Sequence, residues 1–185
     1  MEAQLYFQEY SYKNVSKIHV NNEEVYYTTG KTRLIFSNEI SLFNIKDNSK
    51  KLTSKLKFGF PPKLRIEMQD GIIYDLKMVG LQALQYTCAV GANKYEIFQH
   101  KDRKHSILKN GLMVAYIDKK EFAKFGNDQY TIIADDDSDI ELFIAFALML
   151  HLFHGSQKDQ IASLDKGNYW EKRAFDTSWQ PKPTN

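Results

Sequence analysis

Residues 140 to 153, "IELFIAFALMLHLF", hold twelve apolar residues in fourteen, interrupted only by Glu141 and His151. The run is longer than an ordinary strand and rich in Ala, Leu and Met, so it predicts a helix. A helix apolar on every side has no face for water and must be surrounded, by lipid or by protein. Fourteen residues rise about 21 Å at 1.5 Å each, short of the ~30 Å hydrocarbon core of a bilayer. No transmembrane span is expected, and the rest of the chain must supply the enclosure.

The start of this helix is marked. Ser138 followed by Glu141 fits the S-x-x-E capping box, in which two side chains satisfy two orphan N–H groups reciprocally, and places the helix over about 138–154. Asp135, Asp136, Asp137 and Asp139 put negative charge at the positive end of its dipole. His151 and His154 stand near the other end, and Gly155 suits the residue just beyond it.

Everything before the helix reads as short strands. Turn signals recur every eight to twelve residues: "NNEE" at 21, Gly30, Asn38, "DN" at 47, "GFPP" at 59, "DG" at 70, Gly80, "GAN" at 91, "KDRK" at 101, "NG" at 110 and "FGND" at 125. These breaks leave about twelve strand slots. Asp70-Gly71 and Asn110-Gly111 are expected to form type I′ hairpin turns, with positive φ at both central residues. Several slots alternate cleanly: Leu56, Phe58 and Phe60 oppose Lys55 and Lys57; Leu64, Ile66 and Met68 oppose Lys63, Arg65 and Glu67; Leu84, Tyr86, Cys88 and Val90 oppose Gln85 and Thr87. One face packs inward and the other meets water. The expected fold is a mainly-β, closed antiparallel barrel of about twelve strands around a central C-terminal helix. Residues 1–155 form this unit, and residues 156–185 a tail that packs outside it and frays at "QPKPTN".

Composition narrows the partners. A net charge of +2 gives no global field for nucleic acid, so any electrostatic partner uses a local patch. Cys88 is the single cysteine, which excludes an internal disulfide and cysteine-rich zinc sites. The opening "MEAQLYFQEY" has neither the basic nor the apolar region of a signal peptide. The expectation is a cytoplasmic protein, at most peripheral to a membrane.

Two stretches carry a family resemblance. "NKYEIFQHKDRKHSILKNGLMVAYIDKK" (93 to 120) reads as a hairpin with a charged second strand, and "NDQYTIIADDDSDIELFIAFALMLHLF" (127 to 153) as a last strand, an acidic junction and a central helix. Together they resemble the tubby C-terminal-like superfamily, which includes tubby domains, phospholipid scramblases and LURP-one-related proteins. The resemblance implies membrane-lipid-related binding and no shared enzymatic mechanism; by fold alone this is analogy. The chain departs from tubby domains in the residues after the helix, where Trp170, Phe175 and Trp179 suit packing on the barrel or contact with a protein partner or second copy.

Two candidate sites follow. Lys50, Lys51, Lys55, Lys57, Lys63 and Arg65 fall between residues 48 and 66 with no acidic residue among them. If their strands pair around "GFPP", then Lys55, Lys57, Lys63 and Arg65 share an outer face suited to an anionic phospholipid headgroup. The competing reading is a solvated face whose lysines discourage edge-to-edge pairing. The resemblance to scramblases implies calcium at the acidic junction, with Asp135, Asp137, Asp139 and Glu141 as oxygen ligands. Against it, an EF-hand loop would need Gly where Ile140 stands and Glu where Phe146 stands, and capping with dipole compensation already accounts for these carboxylates. "TTGKT" (28 to 32) lacks the first glycine of a phosphate loop, having Val25 there, and reads as a turn between strands. No nucleophile elbow is present, and the one histidine pair at metal-type spacing, His151 and His154, lacks an HExxH pattern and reads as helix C-terminal charge, so no catalytic residue and no cofactor is expected.

Overall fold

A computed structural model describes residues 1–8, 16–33, 37–57, 62–79, 85–100, 103–122, 127–155 and 173–183. Twelve strands precede one helix: β1 Glu2–Gln8, β2 Ser16–Val20, β3 Glu23–Arg33, β4 Ser37–Asn44, β5 Lys50–Lys57, β6 Lys63–Met68, β7 Ile73–Met78, β8 Gln85–Val90, β9 Asn93–Gln99, β10 Lys104–Lys109, β11 Leu112–Phe122, β12 Asn127–Ala134 and α1 Ile140–Gly155. Each strand pairs antiparallel with the next, and β1 returns to β12, from Glu2 opposite Ile133 to Gln8 opposite Asn127. The sheet is a closed barrel with no free edge.

The inside of the barrel is apolar and the outside charged. Leu52, Leu56, Leu64, Ile66, Tyr86 and Ile97 point inward and are buried, whereas Lys57, Lys63 and Arg65 are exposed. That is the inverse of a lipid-embedded barrel, whose outer band is apolar. A ring of twelve strands is too wide for its own side chains to fill, and a helix about 10 Å across takes up the surplus. Every residue of α1 from Leu142 to Leu150 is no more than 3% exposed. α1 comes closest to β5, then to β4 and β12. On β5 the inward positions are Leu52, Ser54 and Leu56, all buried. The space between α1 and the wall of Leu64, Leu76, Tyr86 and Ile97 has no volume that a water molecule can enter. Among the described residues no helix is long and apolar enough to cross a membrane.

Several boundaries differ from the sequence expectation. Gly30 and Asn38 lie inside β3 and β4, opposite Ile40 and Thr32, and their connection falls at 34–36. "TTGKT" is therefore strand, not turn, because pairing on both flanks outweighs one glycine's preference. The break between β1 and β2, at residues 9–15, carries none of the turn signals named above. The expected total of twelve thus rests on two offsetting errors. Asn110 and Gly111 both have positive φ, as expected, and so do Asn21 and Asn22. At Asp70-Gly71 only Gly71 does. There the loop is longer: Gly71 N–H donates to Met68 O at 3.1 Å, and the Asp70 carboxylate accepts from Ile72 N–H at 3.0 Å. An Asp side chain closing its own turn replaces the two-residue hairpin. Phe58, Phe60, Gly80, Leu84, Trp170 and the side chain of His154 lie outside the described residues, as do parts of "GFPP", "KDRK" and "FGND".

Candidate functional site

The β5–β6 hairpin brings the four predicted cations together. Lys55 stands opposite Arg65 and Lys57 opposite Lys63, all on the outer face because the buried Leu56, Leu64 and Ile66 occupy the alternate positions. Their surroundings then separate them into two pairs. Lys55 Nζ lies 2.6 Å from Glu67 Oε2. Arg65 makes a two-pronged bond to Asp75 on β7, with Nε at 2.7 Å and Nη2 at 2.9 Å, and the carboxylate holds its guanidinium pKa above the ordinary value. These partners come from later in the chain, outside the window that looked free of acid. Lys57 and Lys63 are exposed, and among the described residues neither has an ion partner within 4 Å. Two like charges directly opposite on neighbouring strands repel. They sit at the end of the hairpin, on either side of residues 58–62.

The acidic junction is spent differently. Asp139, not Ser138, caps α1: its Oδ1 accepts from Leu142 N–H at 3.1 Å and its carbonyl from Phe143 N–H at 3.2 Å. The helix starts at Ile140, so the cap is displaced by one residue and Leu142 stands where the box needs Glu or Gln. Glu141 does not reach back; its Oε1 accepts from Tyr26 Oη at 2.9 Å. Burial, then this bond, push the Tyr26 hydroxyl pKa up. Asp135 is 4% exposed, and its Oδ1 accepts from the backbone N–H of Lys182 at 2.7 Å. Asp137 is exposed. Three of the four carboxylates expected to converge on calcium thus face three different partners. Among the described residues no group of three or more His, Cys, Asp or Glu is placed to hold a metal ion.

Sequence reasoning missed how the tail is fixed. Residues 173–183 lie on the outer face of β9–β11, where Phe175 packs edge-on to His100 and Tyr116, and the Trp179 Nε1–H donates to Met113 O at 2.9 Å. Within "QPKPTN", the Lys182 carbonyl accepts from Asp136 N–H at 3.0 Å. Cys88 is buried, and burial pushes its thiol up to about 12, so it is a protonated core residue. His151 stacks on Phe7 with ring centres 3.9 Å apart. Compared with known proteins, the chain matches no family model, no curated protein and no solved structure.

Proposed function

We propose that this chain is a non-enzymatic binding protein that meets an anionic surface, with phospholipid headgroups as the ligand class, through Lys57 and Lys63. The observation that carries the reading is their mutual placement: two exposed lysines held opposite each other with, among the described residues, no carboxylate within ion-pair distance. An anion between them relieves the repulsion built into the pair. Lys55 and Arg65 flank the site but already hold Glu67 and Asp75, so they add shape more than net field. The close packing of α1 against Leu64, Leu76, Tyr86 and Ile97 supports binding outside the barrel at this part of the wall. The resemblance to lipid-binding tubby-like proteins supports the choice of ligand by analogy.

At about 1 kcal/mol per cation near an anionic bilayer, two free lysines give ~2 kcal/mol, roughly a thirtyfold preference over a neutral one. The contact is peripheral, reversible and weakened by salt. Flotation with vesicles containing phosphatidylserine tests it. Binding should fall to the neutral-vesicle level in the chain carrying Lys57→Glu and Lys63→Glu. Equal partitioning of the unaltered chain into neutral and anionic vesicles sinks the reading.

A further inference from the structure

The segment Arg173–Pro183 runs the height of the barrel without joining the sheet. It begins beside His100, at the barrel end where β9 turns into β10, and ends beside Asp135, where β12 hands over to α1. Between those points it is held at a few places by chemistry of specific kinds. His100 is 4% exposed; its Nδ1 lies 2.9 Å from Arg173 O and its Nε2 2.8 Å from Ser106 Oγ. A carbonyl only accepts, so Nδ1 carries the proton and Nε2 accepts from the serine. At the other end the buried Asp135 carboxylate takes the Lys182 N–H. Both grips read main chain.

Side chains are read in between. Phe175 and Trp179 both pack edge-on to Tyr116, at 5.4 and 5.9 Å between ring centres, and Lys104 Nζ stands 5.0 Å over the Phe175 ring. The turn separating the two aromatics is fixed by Asp176, whose carboxylate accepts from both Ser178 N–H, at 3.0 Å, and Ser178 Oγ, at 2.6 Å. The barrel side is shaped to match. β11 carries an extra residue opposite Leu108, and there Met113 O receives Trp179 Nε1–H while Val114 O receives Asp135 N–H. Such a bulge re-aims backbone groups out of the ladder.

We propose that this face of β9–β11 is a peptide-docking groove, and that its partner is the Arg173–Pro183 segment of a second copy of the chain, exchanging with the chain's own. The groove fixes the chemistry it accepts: a phenylalanine, a tryptophan four residues later, an Asp-x-Ser turn between them, and free backbone groups three residues on. The sequence shown to satisfy it is this segment, and a second copy carries the same one. In sequence the segment follows α1 by way of residues 156–172, and it enters the groove near the end where β9–β10 connect. No groove contact depends on which copy supplies it. Tethering raises the local concentration of the chain's own segment to the millimolar range, so exchange appears when that segment is unseated.

The test uses full chains. One carries Phe175→Ala and Trp179→Ala, which unseat its own segment and leave the groove open. A fluorescein-labelled peptide of residues 173–183 should bind this variant saturably, bind the unaltered chain about a hundredfold more weakly, and lose binding when it carries the same two alanines. A second full chain with Tyr116→Ala keeps the segment but spoils the groove. Sedimentation of the two variants together should show a heterodimer that neither forms alone. Thermal melting checks folding. Should the first variant fail it, an otherwise unaltered chain cleaved at a protease site within 156–172 takes its place. A folded acceptor that ignores the peptide, equal binding of the alanine peptide, or peptide binding without the heterodimer overturns the proposal.

Discussion

The Tyr26 hydroxyl donates to the Glu141 carboxylate at 2.9 Å, joining β3 of the wall to the first turn of the enclosed helix. Hydrogen bonds to a charged partner contribute about 1.5–3 kcal/mol where both groups are shielded from water. Glu141 is half-buried, so the Tyr26→Phe chain should lose about 1–2 kcal/mol in urea denaturation. It should do so without a change in the slope of the transition.

Capping by Asp139 separates two neighbouring substitutions. Asp139→Ala removes the acceptor for Leu142 N–H and should cost about 1 kcal/mol. Ser138→Ala removes no bond to the helix and should be close to neutral. A larger loss for Ser138 would restore the capping box that the sequence suggests.

Ser54 Oγ is fully buried with no hydrogen-bond partner. Removing an unsatisfied buried polar atom costs nothing and removes a desolvation penalty. The Ser54→Ala chain should therefore melt at or slightly above the unaltered temperature. Ser54→Leu, a larger side chain at a fully buried position of β5, should lose about 1–3 kcal/mol through overpacking.

High pH should unfold the protein through its tyrosines. Burial, the first cause for each, raises the pKa of Tyr26, Tyr74 and Tyr86, that of Tyr74 to about 12. The folded state holds these protons more tightly, so the stability they contribute is complete below the unfolded value of about 10 and is lost as pH rises above it. Absorbance titration at 295 nm should show a late group of tyrosines ionising together with loss of the β-sheet circular dichroism signal. The triple phenylalanine variant should flatten that alkaline slope. Independent, early ionisation of all tyrosines would contradict the burial.

The facing lysines predict opposite effects on folding and binding. Lys57→Glu turns a repulsive cross-strand pair into an attractive one, and should raise stability by about 0.2–1 kcal/mol while lowering anionic-vesicle binding. If stability falls, the pair is not strained as its register implies.

The helix was legible because twelve apolar residues in fourteen leave no water-facing side, and its enclosure followed from length alone. Strand faces were legible wherever alternation was strict, as at Lys63 to Met68. Partners across strands were less so. Asp75 reaches Arg65 only because β7 registers against β6, and a window along the chain does not contain that neighbour. Gly30 misled because pairing on both sides holds a glycine in a strand that its own freedom would leave. The grips on Arg173–Pro183 were invisible for a related reason: they depend on a one-residue bulge at Met113–Val114 and on main-chain groups, which no side-chain pattern encodes.

Closing the ring through β1 and β12 makes the earliest stave wait for the latest. The staves are synthesised before the rod they surround, so a growing chain holds a lining with nothing to line until residue 155 has left the ribosome. Contacts of such long sequence separation form slowly, and incomplete rings show unpaired edges and apolar linings to one another. Assembly is therefore close to all-or-none. A chain halted before residue 155 holds a ring without its rod, open to association with others like it.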